Sequence, residues 1–312
     1  MYKIILITFS VIVTTTLTVF SQSLIVSISN DKYGVPYDWG SAIALFDAKT
    51  NEFRVVYKNN DLVFYVTRLK AAPSGLFIGA IGHERDRKGK PDEKSSLIII
   101  DTNGNIVSII DDAVLFDWAP SGDKIVFGTG IFWTDAGYPK AKRLWIYDIK
   151  STNNEDIGVA SAWNLAWAKF DSLIYIAEKG CIYKIDYRDH SKLKTPYRDL
   201  YFSPDGKYYY KANREGGGFY LYETMSNRDI TPPYINKEEN RVNHWISKNE
   251  LVVGDGINDN KIINLATGKV KKTFSGRMID YDAKTAELIV YKDKKVFMEL
   301  VSSKVEKIKI VE

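Results

Sequence analysis

From Leu24 onward, short apolar runs alternate with turns rich in Gly, Asp, Asn and Pro. Beyond the first twenty-odd residues no apolar periodicity of 3.6 persists for ten residues, so the pattern predicts strands and few helices. Leu200-Tyr-Phe-Ser-Pro-Asp-Gly-Lys-Tyr-Tyr-Tyr210 sets the type. A short apolar strand runs into Pro204-Asp205-Gly206, where Pro fixes φ and Gly accepts positive φ, and the chain reverses into an aromatic strand. Many short strands between such turns imply a sandwich, a barrel or a propeller.

The turns repeat in register. A strand ending in an acid or amide recurs as Ile43-Ala-Leu-Phe-Asp47, Leu97-Ile-Ile-Ile-Asp101, Leu144-Trp-Ile-Tyr-Asp148, Ile182-Tyr-Lys-Ile-Asp186, Phe219-Tyr-Leu-Tyr-Glu223, Lys261-Ile-Ile-Asn264 and Val296-Phe-Met-Glu299. From one terminal residue to the next the steps are 54, 47, 38, 37, 41 and 35, near the roughly 40–45 residues of a four-stranded propeller blade. A second landmark precedes the first in six units, as in Ala71-Ala-Pro-Ser-Gly75, Trp118-Ala-Pro-Ser-Gly122 and Phe202-Ser-Pro-Asp-Gly206. Each unit thus reads as four strands: a ends at the Pro-Ser-Gly type of turn, b follows, c ends at the acid, and d closes the unit. The predicted fold is an all-β propeller of four-stranded antiparallel blades, with seven blades counted. A ring of six with the termini sharing a blade is the alternative. The first unit lacks strand a, and the last is read with all four strands between Met278 and Val311.

Phe202-Ser-Pro-Asp-Gly-Lys207 and Trp118-Ala-Pro-Ser-Gly-Asp-Lys124, each followed by a strand, a loop and an aromatic-x-acidic strand, resemble the TolB-like propeller repeat, a bacterial relative of the WD repeat. The resemblance covers roughly Leu24 to Glu312. It implies an exported propeller; most members of that family are binding platforms, and some are joined to peptidases. No peptidase domain is read in this chain.

Composition narrows the partners. With 45% hydrophobic residues and Lys+Arg 43 against Asp+Glu 39, the 312-residue chain suits a large core, and its net charge of +4 is spread without a basic block. Nucleic acid is therefore excluded as an expected partner. Lys3, the apolar stretch Ile4 to Phe20, and the small Ser21 and Ser23 read as a signal peptide over residues 1–23, leaving 24–312 as one propeller domain. The protein is expected to be exported, periplasmic or extracellular, without membrane insertion after cleavage, and monomeric. Retention of the leader as an anchor is the competing reading. Cys181 is the sole cysteine and forms no intramolecular disulfide; its apolar strand context suits a small buried hydrophobe. The lysines alternating through Lys304-Val-Glu-Lys-Ile-Lys-Ile310 suit an edge strand guarded against pairing.

In such a ring the b–c loops share one face, and binding residues concentrate in loops on rigid scaffolds. Three consecutive b–c connections are long: Asn30 to Ser41, His83 to Lys94 and Gly128 to Lys142. They carry the candidate binding residues Tyr37, Asp38, Trp39, His83, Arg85, Arg87, Phe132, Trp133, Asp135 and Tyr138. Aromatics and arginines mixed with carboxylates are the residue types enriched at interfaces. Trp118, Trp167 and Trp245 recur at one repeat position, which assigns them to packing between blades.

Catalytic signals are missing. His83, His190 and His244 stand without a second His or Cys at ligand spacing, and neither a Gly-x-Ser-x-Gly elbow nor a phosphate-binding Gly loop occurs. Gly254-Asp-Gly-Ile-Asn-Asp-Asn260 is rich in oxygen ligands but departs from calcium-loop spacing and reads as a hairpin turn. No metal or cofactor is expected. These features point to a non-catalytic binding module for a protein or cell-envelope component. The alternative is a propeller hydrolase or lyase acting on glycan or lactone-like substrates, with Asp38, Glu84, Asp86 and Asp135 as its candidate carboxylates.

Overall fold

The computed structural model describes residues 23–28, 42–47, 52–57, 63–85, 91–131, 139–168, 173–212, 218–232, 241–255, 259–282, 287–291 and 305–309. All regular structure among them is strand. β1 (Ser23–Ile28), β2 (Ala42–Asp47) and β3 (Glu52–Tyr57) form a first sheet, and β4 (Val63–Ala71), β5 (Phe77–Arg85), β6 (Pro91–Asp101) and β7 (Ile106–Asp111) a second. The third has seven strands: β8 (Ala113–Trp118), β9 (Lys124–Ile131), β10 (Lys140–Asp148), β11 (Asn153–Trp167), β12 (Ile174–Glu178), β13 (Cys181–Ile185) and β14 (Lys192–Lys194). Then come β15 (Tyr201–Phe202), β16 (Tyr208–Ala212) and β17 (Phe219–Glu223); β18 (Arg241–Ser247), β19 (Glu250–Gly254), β20 (Asn260–Asn264) and β21 (Lys269–Phe274); and β22 (Arg277–Asp282), β23 (Glu287–Tyr291) and β24 (Val305–Lys309). Every sheet is an antiparallel meander in chain order.

The seven-stranded sheet contains two four-stranded units sharing one strand. Asn153 through Ala162 of β11 pairs with β10, and Ala162 through Trp167 pairs with β12. Strand d of one unit thus continues as strand a of the next. Gly158, at φ 114°, adopts a conformation that favours glycine where the strand is irregular.

The continuous apolar runs of the c strands follow from burial on both faces. In β6, Ile98 and Ile100 pack on Ile43 and Leu45 of the first sheet, while Leu97 and Ile99 belong to a core shared with Leu115, Phe127 and Ile146 of the third. In β12, Ile174 and Ile176 join that same core, while Tyr175 and Ala177 pack beneath Leu200 and Phe202. Phe219 and Leu221 of β17 meet Leu251, Val253 and Ile263 of the following sheet. The sheet of β4 to β7 and the seven-stranded sheet are thus covered on each face by their neighbours in sequence, at about 1.5–3 kcal/mol for each large apolar side chain removed from water.

The a–b turns repeat in detail. Gly75, Gly122 and Gly206 have φ of 73°, 73° and 70°, and their N–H groups donate to Ala72, Ala119 and Ser203 O at 2.9 Å in all three. These are the glycines of the Pro-Ser-Gly and Pro-Asp-Gly sequences.

The structure departs from the sequence reading in four places. The segments 83–94 and 128–142 are not loops along their length: His83 pairs with Ser95, Arg85 with Pro91, and Lys140 with Ile131, so both are long-armed hairpins. Gly128 and Gly130 lie inside β9 rather than opening a loop, because a Cβ at either would lie 2.4 Å from Ala141 Cβ or from Lys140 O. In the last unit β23 pairs directly with β24, which takes the position assigned to 296–299; those residues lie outside the described ones. In the fifth unit the fourth strand is reduced to a single bridge, Tyr222 to Asp229. Cys181 is half-buried at the start of β13 rather than in the core. β24, in the stretch whose alternating lysines predict an edge strand, lies at a sheet edge, and so do the lysine-bearing strands β14 and β21.

Candidate functional site

The first strands of the units are linked across sheets at intervals close to the repeat. The indole Nε1–H of Trp118, on β8, donates to Lys70 O on β4 at 3.0 Å, 48 residues earlier. Trp245 Nε1–H, on β18, donates to Tyr201 O on β15 at 3.3 Å, 44 residues earlier. Trp118 is 4% exposed and Trp167 5%. Trp167 packs its ring against Tyr187, with centroids 5.4 Å apart. These repeated tryptophans are therefore structural: each fills an intersheet space, and two of them satisfy a carbonyl of the preceding unit.

Asp117 sits between three units. Its Oδ1 accepts Lys70 Nζ–H at 2.8 Å and the Trp118 N–H at 3.0 Å; its Oδ2 accepts the Trp167 N–H at 3.0 Å. Both carboxylate oxygens are engaged. Lys70, two residues after Arg68 on β4, holds this carboxylate as an ion pair.

Arg68 is half-buried, and Nη1–H reaches Phe116 O at 3.4 Å. Burial holds its pKa below the ordinary guanidinium value; the Asp117 charge and Tyr201 partly oppose that shift. Tyr201 belongs to β15, three units further along the chain. Its ring, 43% exposed, stacks on Tyr210 at 4.7 Å and 5°. Burial pushes the Tyr210 hydroxyl pKa up.

The acids of the repeat close turns. Asp101 Oδ1 accepts the N–H groups of Asn103 and Asn105, both at 2.8 Å, and Asp148 Oδ1 those of Lys150 and Ser151 at 2.9 and 3.0 Å. Asp186 Oδ1 accepts the Arg188 N–H at 3.0 Å. Asn264 Oδ1 accepts the Thr267 N–H at 3.1 Å. The amide at the sixth copy works as well as the acid because only an acceptor is required. In 254–260, Asp255 Oδ1 accepts the Asp259 N–H at 3.1 Å, a contact of the hairpin between β19 and β20, while Asn260 Nδ2–H donates to Gly276 O at 2.7 Å, beyond β21. Among the described residues no three His, Cys, Asp or Glu side chains converge on one point. Also among them, no helix is long and apolar enough to cross a membrane.

Of the candidate binding residues, Tyr37, Asp38, Trp39, Arg87, Phe132, Trp133, Asp135 and Tyr138 lie outside the described residues, as does the leader segment 1–22. His83 and Arg85 lie on β5 in the arm of the β5–β6 hairpin. The Arg68, Lys70 and Asp117 constellation was not singled out from sequence. Its one visible signal is that Arg68 and Lys70 are basic residues spaced by two in a strand whose neighbours are buried.

No family model matches the chain. No curated protein matches it. Among solved structures, the crystal structure of TolB from Acinetobacter baumannii is similar over 79% of this chain, with a TM-score of 0.48 and 12% sequence identity. The match covers 62% of the TolB chain, so this protein spans about three-fifths of that structure's length.

Proposed function

We propose that the protein is an exported, non-catalytic β-propeller of TolB-like, WD-repeat-like units, with seven blades, and that it binds a protein or cell-envelope component through one face. The observation that carries this reading is the tying of successive units at repeat-spaced positions, Trp118 to Lys70 and Trp245 to Tyr201. The sheet of β4 to β7 and the seven-stranded sheet are covered on both faces by their neighbours, as blades within a ring are. In that ring the connections around 30–41, 86–90 and 132–138 emerge on one side. Tyr37, Asp38, Trp39, His83, Arg85, Arg87, Phe132, Trp133, Asp135 and Tyr138 then supply aromatic anchors and charged groups for recognition. The leader directs export, and the domain functions outside the cytoplasm as a monomer.

Two measurements test the proposal. Capture of a binding partner from an envelope extract should drop when 132–138 is replaced by a two-residue turn, with the melting transition retained. Undiminished capture would overturn the assignment of the face. N-terminal sequencing of the recovered protein should begin near residue 24; a start at Met1 would overturn export with cleavage.

A further inference from the structure

We propose that β7 is a docking edge for an extended segment of another protein, a run of β-branched apolar residues headed by a basic one, which adds to the sheet of β4 to β7 as an antiparallel strand. The site uses none of the residues assigned to the loop-bearing face.

A strand that ends a sheet leaves one row of backbone N–H and C=O groups unpaired, and proteins ordinarily guard that row with charge, Pro or a covering segment. Other end strands here follow the rule: Arg54 stands in β3, Lys192 and Lys194 in β14, Lys271 in β21 and Lys307 in β24. β7, Ile-Val-Ser-Ile-Ile-Asp, has no Lys, Arg or Pro, and its one charge comes at its last residue. Among the described strands it pairs only with β6.

The side chains of this edge are apolar and open to solvent. Ile106 is 50% exposed and Ile109 53%. Their register partners on β6 are Ile100 and Ile98, which pack on the first sheet. The register shift opposite Ile99 and Ile100 inserts Val107 as an extra residue, so Ile106 and Ile109 stand on one face although three apart. They extend the buried row of β6 outward as an apolar shelf. Val107 and Ile110 pack instead on the core shared with the third sheet. An arriving strand thus finds a backbone row to pair with and apolar contacts for its alternate side chains, the two components of strand addition.

Charge selects the occupant and its direction. Asp111 and Asp112, both exposed, close the strand. Antiparallel pairing brings the N-terminal end of the incoming segment to these two carboxylates. A basic residue there is favoured and an acidic one opposed. A second β7 in full overlap would set Asp111 against Ile106 and bring no cation, so charge favours a foreign segment over self-pairing.

Fluorescence anisotropy of a labelled Arg-Lys-Val-Thr-Val-Thr-Val peptide, titrated with the purified protein, tests the edge. The expected result is saturable one-to-one binding, weakened about fivefold or more when Glu-Glu replaces Arg-Lys. Two further peptides carry N-methyl groups at alternate residues, one along each edge of the strand. One should lose binding and the other keep it, since a single edge of the peptide meets β7. Ile109→Lys, which installs the guard present in β14, should weaken binding about tenfold. Ile106→Lys serves the same purpose if the first variant does not fold. No binding of the unmodified peptide, equal behaviour of the two N-methylated peptides, or unchanged affinity in a folded lysine variant would overturn the proposal. A dimer that forms at rising protein concentration and is dissolved by Ile109→Lys would assign the edge to a second copy and overturn it as well. Shortening 132–138 leaves these titrations unaffected, so the two sites fail separately.

Discussion

Asp117 Oδ2 accepts the backbone N–H of Trp167 at 3.0 Å, joining the inner strand of one unit to that of the next across 50 residues of chain. The same carboxylate holds Lys70 of the preceding unit. One side chain therefore bridges three units. Removing it, as in Asp117→Ala, leaves the Trp118 and Trp167 N–H groups without that acceptor and should cost roughly 2–4 kcal/mol. Lys70, whose side chain is 42% exposed, contributes less through the same pair: Lys70→Met should cost under about 1 kcal/mol. Urea denaturation of the two variants measures the difference, and equal losses would contradict this division of roles.

Gly79 tests intersheet packing from the opposite direction. A Cβ added there would stand 2.6 Å from Phe116 Cε2 and 3.3 Å from Trp118 Cζ2. Both rings are buried. Gly79→Ala should lower stability by about 1–3 kcal/mol through overpacking, although alanine loses less backbone freedom on folding than glycine does. A lower denaturant midpoint with an unchanged slope is the expected outcome.

Acid should loosen the c–d turns. Arg188, through its guanidinium and then its N–H, holds the Asp186 carboxyl down at about 2. Asp101 and Asp148 are also held below the usual carboxylate range by turn hydrogen bonds that outweigh the opposing effect of burial. A lowered folded-state pKa means stability that is fully present above the unfolded value, near 4, and lost as pH falls through the folded one. Stability should therefore decline between about pH 4 and about pH 2, and Asp186→Asn should flatten its share of that decline. Chemical denaturation across this range gives the slope.

Alkali should act through Tyr209. Burial raises its hydroxyl pKa to about 12, and the hydroxyl donates to Asn227 Oδ1. In the unfolded chain the phenol ionises near 10, so the raised value adds stability below that pH and loses it as pH climbs toward 12. Tyr209→Phe should be less stable at neutral pH yet less sensitive to alkali. Absorbance of phenolate at high pH, followed together with unfolding, checks both halves.

The binding face has its own test. Trp133→Ala combined with Trp39→Ala should weaken partner capture at least tenfold, since interface tryptophans are common energetic anchors. The melting temperature should change little. A large loss of stability with unaltered capture would show instead that these rings pack beneath their own loops.

The architecture was legible from local chemistry because it repeats. Pro-Ser-Gly and Pro-Asp-Gly turns, acids that accept turn N–H groups and apolar c strands are each defined within a few residues, and Gly122, Asp148 and Ile99 behave as their sequences predict. The same holds for Trp118, whose recurrence marked it as packing. What sequence left open depends on contacts between units. That Gly128 and Gly130 belong to a strand follows from the nearness of Lys140 and Ala141 across the hairpin, and that 157–167 runs unbroken from one unit into the next follows from partners on both sides. Lys70, Asp117 and Trp167 belong to three successive units; only the folded molecule brings them together, because electrostatic and hydrogen-bonding contacts act through space and leave no periodic trace in the order of residues.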